Sequence, residues 1–340
     1  MLPDGPIDER LVAGFLAGAG WAGVPRCLLA ADASFRRYDR LHDGSRSAVL
    51  MLAPPEREKP QAFVDIAGHL AALGLGAPGV LAAAPDLGLV LLEDLGDSTF
   101  TRALAAGADE ADLYRLATDV LVHLHERWPA GPVAGLAPYD EAVLLGEAAL
   151  FLDWGVPAFL GRSATADERD GFLAAWSAVL PLAARLQPTL VLRDFHVDNL
   201  MVLAGREGVA ACGLLDFQDA LLGPPAYDLV SLLRDARRDV DPAVAEACRE
   251  RYLAGRPGVD RAAFERAYWI LGAQRTTKIL GIFVRLWRRD GKPRYLTHLP
   301  RLWRLLDVEL AQPVLAPVRA WFDTAVPAGR RRGLSPEEGG

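Results

Sequence analysis

Arg193-Asp194-Phe195-His196-Val197-Asp198-Asn199, followed 22 residues after Asp194 by Asp216-Phe217-Gln218, is the stretch on which the fold turns. Short apolar runs surround it: Leu190-Val191-Leu192 before, Leu200-Met201-Val202-Leu203 after, and Ala210 to Leu215 leading into Asp216. Apolar runs this short, bounded by turn residues, read as strands, with Gly205 to Gly208 as a hairpin turn. Asp194 and Asn199 then lie on the loop between two strands and Asp216 ends a third, so pairing can bring all three to one end of a β patch. Carboxylates and an amide oxygen gathered there suit Mg²⁺, a hard cation that takes few protein oxygens and completes its shell with phosphates and water. Asn199 and Asp216 are therefore the candidate metal ligands. Asp194 is the candidate catalytic base for a hydroxyl proton.

Outward from this patch the chain changes character. Residues 7–20 have a helical period, and 34–41 and 47–52 read as strands separated by the turn His42-Asp43-Gly44-Ser45. A helix over about 61–73 and a buried strand over 87–92 follow. Beyond Glu93-Asp94-Leu95-Gly96 the periodicity predicts helices over 109–128, 139–153 and 167–186, then the β patch, then helix again from 226 to 325. The expected architecture is α+β and bilobal. Residues 1–95 form a small β-rich nucleotide-binding lobe, 96–325 a large, mainly helical catalytic and substrate-binding lobe, and 326–340 a frayed tail. In that order of elements, D-x-x-x-x-N followed by a strand-ending Asp matches the base and metal parts of a kinase-like phosphotransferase.

Composition narrows the class. The 340 residues are 51% hydrophobic and 24% charged, with net charge −7, which excludes a disordered chain and a dedicated nucleic-acid binder. No 18-residue uncharged apolar run and no signal-peptide pattern occur, so a soluble, cytoplasmic protein without a membrane partner is expected. Cys27, Cys212 and Cys248 are scattered, without C-x-x-C spacing, and support neither disulfides nor zinc. Nothing points to an obligate protein partner. Lysine is scarce: Lys59, Lys278 and Lys292 stand against 34 arginines.

Asp194-Phe195-His196-x-x-Asn199, Leu215-Asp216-Phe217-Gln218-Asp219-Ala220, Gly223-Pro224-Pro225-Ala226-Tyr227-Asp228-Leu229 and Leu91-Leu92-Glu93-Asp94-Leu95-Gly96 resemble the aminoglycoside phosphotransferase/choline kinase superfamily. Asp32 to Tyr38, Ala53-Pro54-Pro55-Glu56, Gln274-Arg275 through Leu286 and Asp290-Gly291-Lys292 resemble the bacterial N-acetylmuramate/N-acetylglucosamine anomeric kinases of cell-wall recycling. The resemblance implies a protein-kinase-like fold. It also implies transfer of the γ-phosphate of ATP, with Mg²⁺, to the C1 hydroxyl of a small amino sugar to give the α-1-phosphate. It assigns Asp194 as base, Asn199 and Asp216 as metal ligands, and Glu93 and Leu95 to the adenine slot. Asp228 would brace the catalytic loop or simply sit at a helix N-terminus.

One feature departs from the family pattern. Met51 stands on the strand that ordinarily carries a phosphate-binding lysine. Lys59 on the following loop is one alternative, but the phosphate contact is rather expected from Arg36 or Arg37, of which strand alternation lets only one face the nucleotide; Arg37 is the preferred candidate. Ser34 and its backbone would stand in for the absent glycine-rich loop. For the sugar, Arg275 and Lys278 share a helix face and could hold a carboxylate, or could be paired with an acidic neighbour. Trp154 could stack on the ring, and His196 lies within the motif as a further substrate candidate. Two other readings remain open: a kinase of aminoglycosides or other small hydroxyl compounds, which would want an acidic acceptor pocket, and a non-catalytic kinase-like binding protein.

Overall fold

The computed structural model describes residues 8–31, 35–129, 131, 133 and 135–336. They divide into two compact units, Met1–Arg127 with Asp194–Ala220, and Trp128–Arg193 with Leu221–Gly340.

The first unit is built on a five-stranded antiparallel sheet in the order β1-β2-β3-β5-β4. The strands are β1 (Arg26–Ala31), β2 (Arg37–His42), β3 (Ser47–Leu52), β4 (Val80–Ala84) and β5 (Leu89–Glu93). Helix α1 (Glu9–Gly18), capped by the Asp8 carboxylate, lays Val12 and Leu16 against Leu41, Leu50, Leu52, Leu89 and Leu91. Alternation sends Val49 and Met51 to the opposite face of β3. The register places Tyr38 across from Met51, and Met51 across from Val90. The unit also holds α2 (Pro60–Ala72), α3 (Phe100–Ala105) and α4 (Glu110–Arg127). The hairpin of β7 (Leu200–Val202) and β8 (Cys212–Leu214) completes it. Gly76 bridges Gly213 so closely that a Cβ would lie 2.3 Å from the Cys212 carbonyl, which leaves room only for glycine.

Strands β1 and β4 carry no signal in the sequence. Arg26 to Ala31 does not alternate, and Val80 to Ala84 is mostly alanine, a poor strand former. Both are sheet edges, recruited by pairing with a central strand that has strong strand character.

The second unit is mainly helical. It comprises α5 (Glu141–Leu150), a π turn at Phe151–Gly155, α6 (Val156–Leu160), α7 (Ala166–Ser177), α8 (Leu180–Ala183), α9 (Ala226–Leu233), α10 (Pro242–Ala254), α11 (Arg261–Arg288), α12 (Leu299–Leu310) and α13 (Ala316–Ala325). A two-stranded ribbon pairs β6 (Thr189–Val191) with β9 (Leu221–Gly223). Helix α11 is the spine, 28 residues long and therefore about 42 Å. It packs so tightly on the α5 end that a Cβ at Gly281 would lie 2.5 Å from the Leu150 backbone. Phe151, Phe159 and Phe322 each meet Trp303 edge to face, at centroid separations of 5.0–6.3 Å.

The helical run Glu141–Leu160 is long and apolar enough to cross a membrane. It carries Glu147 and Asp153, however, and buries Leu144, Ala148, Phe151, Leu152 and Val156 in the helical core. After α13 the chain stays anchored: Arg331 bonds Asp307, Asp323 and the Val326 carbonyl, and Leu334 is buried.

Candidate functional site

The loop from Arg193 to Asn199 folds inward at Phe195, His196 and Val197, which are buried, and leaves Asp194 exposed. Asn199 closes the loop: its Nδ2 donates to the Asp194 carbonyl at 3.0 Å and reaches Asp216 Oδ2 at 3.4 Å. Asp216 accepts on Oδ1 from Arg36 and from Gln218, each at 2.8 Å. The carboxylate is thus oriented from one side and its second oxygen turns towards Asn199. One carboxylate and one amide are the sparse donor set a phosphate-bound Mg²⁺ accepts, rather than an all-protein cage. No group of three His, Cys, Asp or Glu suited to a metal occurs among the described residues.

Of these residues, Arg36, Asn199 and Asp216 line a cavity of about 340 Å³ within the first unit. Val49, Leu92, Met201 and Leu215 give it apolar walls, and the connector from Glu93 to Asp97 runs along it. An apolar slot with a few polar groups is the make-up of a small-ligand site. Leu95 lines it. Glu93 lines it too, but its N–H donates to Gly79 O at 2.7 Å and its carboxylate bonds Arg206 and Gly79 N. Arg40 ties the connector down through Asp94, Asp97 and the Gly96 carbonyl.

Arg36, not the favoured Arg37, is the arginine on this cavity. Tyr38 also lines it, so alternation places the residue two earlier on the same face. Arg37 is half exposed and bound to the buried Asp39 at 2.7 Å. Arg36 is nearly buried between Asp216 and Glu58, whose carboxylate also accepts from Phe35 N at 2.9 Å. Burial disfavours its charge, but Tyr38, Asp216 and Glu58 outweigh that and hold the guanidinium above its ordinary pKa. Ser34 lies outside the described residues. Met51 is buried, with no cation in its place.

Other candidates are placed differently. Asp228 is fully buried at the start of α9 and accepts from the N–H groups of Leu192 at 2.6 Å and Arg193 at 2.8 Å. His196 is buried, with Nε2 3.5 Å from the Asn199 amide, so it packs behind the loop. Trp154 sits in the π turn and lines neither this cavity nor the second one described below. Lys278 is held by Glu147 at 2.7 Å, and Arg275 is buried near the Glu309 carboxylate. Of the two, Lys278 is thus ion-paired with an acidic neighbour.

Two features escaped the sequence. Among the described residues only Arg193 (φ 72°) and Asp216 (φ 58°) are non-glycines with left-handed backbone. Such a conformation costs about 1–2 kcal/mol and persists only where surroundings enforce it. The second is a cavity of about 350 Å³ in the helical unit, lined by Tyr268, Trp269, Arg234, Arg238, Asp235 and Arg301 among others. Arg234 lies 5.2 Å from the Trp269 centroid. Asp235 is buried, and its Oδ1 accepts from Arg237 N at 2.7 Å while Oδ2 has no protein partner. The visible signal was the charged run Arg234 to Asp239 directly after an apolar helix.

Comparison with known proteins agrees with this layout. Residues 26–264 match the family described as APH, phosphotransferase enzyme family. The chain is 42% identical to an N-acetylmuramate/N-acetylglucosamine kinase of Caulobacter vibrioides, over 95% of this chain and 98% of the relative. It is 41% identical to a protein of the same name in Pseudomonas aeruginosa, over 91% and 92%. In fold it is similar to the GDP and kanamycin complex of an APH(2″) enzyme (TM-score 0.61, 16% identity, 89% of this chain and 98% of that one). It is similar also to a microcompartment-associated aminopropanol kinase (TM-score 0.61, 16% identity, 90% and 99%). The family match over residues 26–264 and relatives above 40% identity along most of the chain make this protein, with its cavity edged by Asn199, Asp216 and Arg36, a member of the phosphotransferase enzyme family.

Proposed function

We propose that the chain is a Mg·ATP-dependent kinase that phosphorylates the anomeric hydroxyl of N-acetylmuramate and N-acetylglucosamine, yielding the α-1-phosphate in cytoplasmic peptidoglycan recycling. The observation that carries this reading is the grouping of Asn199, Asp216 and Arg36 on one apolar-walled cavity, with the exposed Asp194 on the same loop as Asn199. Two relatives above 40% identity bear that kinase name.

The chain's own residues divide the work. Val49, Leu92 and the backbone at Leu95 would hold the base of ATP, and Arg36 would meet its phosphates. Asn199 and Asp216 would hold Mg²⁺, which when bound neutralises phosphate charge. Asp194 would accept the proton of the attacking hydroxyl and orient its oxygen for in-line transfer.

The test is incubation with Mg·ATP and, separately, N-acetylmuramate, N-acetylglucosamine, choline and kanamycin, with the product located by ³¹P NMR. A sugar 1-phosphate is the expected product. Phosphate on a non-anomeric hydroxyl, or on kanamycin alone, would overturn the anomeric assignment. The buried Met51 favours one other reading, a non-catalytic nucleotide binder. That reading expects no turnover in the wild type or in Asp194→Asn, whereas a kinase loses at least about a hundredfold in the variant.

A further inference from the structure

Within the helical unit, Glu147 of α5 sits at the centre of a nearly buried polar cluster. Its Oε1 receives Arg193 Nη2 and lies 2.7 Å from Lys278 Nζ, and its Oε2 accepts from the Tyr139 hydroxyl. Gln274 of α11 reaches the same oxygen at 3.5 Å and anchors itself to Leu144 O at 2.9 Å. The Arg193 guanidinium lies 5.6 Å from the Tyr139 ring centroid. Burial pushes the Glu147 carboxyl up, but Lys278 and Arg193 outweigh it and keep the group ionised below the usual range.

Arg193 is also the left-handed residue directly before Asp194 in the chain. Its N–H is fixed by Asp228 at 2.8 Å and its side chain by Glu147, so both ends of the residue are held. An ion pair that served stability alone would not need to sit on the single residue whose backbone sets the direction in which the chain enters the catalytic loop. We infer that Arg193 and Glu147 are positioning residues for Asp194: the ion pair clamps the left-handed backbone ahead of the base and so fixes the aim of its carboxylate. Lys278 and Tyr139 hold Glu147 in turn. The inference rests on reading Asp194 as the base.

Two variants test it, with kcat, the KM values for Mg·ATP and sugar, and the melting temperature as readouts. Arg193→Gly removes the clamp, yet glycine takes φ 72° without steric cost, so folding is retained. The double variant Glu147→Gln/Lys278→Met deletes one anion and one cation together and leaves the charge of the cluster unchanged. Each is expected to lower kcat about 10- to 100-fold with both KM values within about twofold, the signature of a misaimed reacting group. Arg193→Lys, which keeps a cation on Glu147, should recover part of kcat. Asp194→Asn is the control. If Asp194→Asn is inactive while both variants keep wild-type kcat, or change only KM or melting temperature, the clamp is overturned. An active Asp194→Asn overturns the reading of the base, and the clamp with it.

Discussion

Arg36 shows what a single residue decides. Period-two alternation states that neighbours on a strand face opposite ways, but not which of them faces the ligand. Here the phase is fixed by pairing Tyr38 with Met51 across β2 and β3, a long-range register that Arg36 and Arg37 do not encode. The guanidinium arrives from the approach to β2 and is held by Glu58 and Asp216. A charge-assisted hydrogen bond contributes about 1.5–3 kcal/mol, or about 10- to 100-fold in affinity. Replacing Arg36 by Ala should raise the KM for Mg·ATP by about that factor. Arg37→Ala, which removes a half-exposed arginine bound to Asp39, should leave it within about twofold. Equal effects in initial-rate measurements would remove Arg36 from its role.

At the scale of elements, legibility followed how local each signal was. Strands β3 and β5 and the loop from Asp194 to Asn199 are readable because apolar runs and turn residues mark them within a few positions. Strands β1 and β4 exist through pairing alone, and the helical cavity gathers residues from α10, α11 and α12, whose crossing no sequence period reports. The same holds for Glu147, which meets Arg193 46 positions later. Gly281 tests how exacting such crossings are. Its α-hydrogen faces the Leu150 carbonyl, and alanine there would overpack backbone against backbone. Gly281→Ala should cost about 1–3 kcal/mol, visible as a lowered denaturant midpoint. Gly14→Ala on α1, with no atom within 4 Å of the added Cβ, should instead stabilise by about 0.5–1 kcal/mol. Matching shifts at the two positions would contradict the close crossing.

Over the whole molecule, carboxylates are held mainly by arginines, and this sets the response to acid. Glu168, bonded by Arg162 and by Thr165 N, is lowered to about 2. Arg301 lowers Asp239, and Arg331 lowers Asp323. Glu147 is lowered because two cations outweigh its burial. A carboxylate with a folded pKa below its unfolded value stabilises fully above the unfolded value, near pH 4–4.5, and loses that stabilisation as pH falls towards the folded value. Glu265 and Glu309, raised by burial, act in the opposite direction. Urea midpoints measured at pH 7, 5 and 3 should therefore change little over the first step and drop over the second. In Glu168→Gln the second drop should be smaller; a wild-type drop would exclude Glu168 as a contributor. The chain-wide scarcity of lysine has a practical counterpart in the cavity proposed for ATP, whose lining includes Arg36 and no lysine. Acyl-phosphate derivatives of ATP, which tag kinases by acylating a pocket amine, should leave this site unlabelled. An arginine-selective dicarbonyl such as phenylglyoxal should inactivate it, with Mg·ATP protecting. A survey of kinases that relies on amine labelling would therefore overlook this enzyme, however abundant it was.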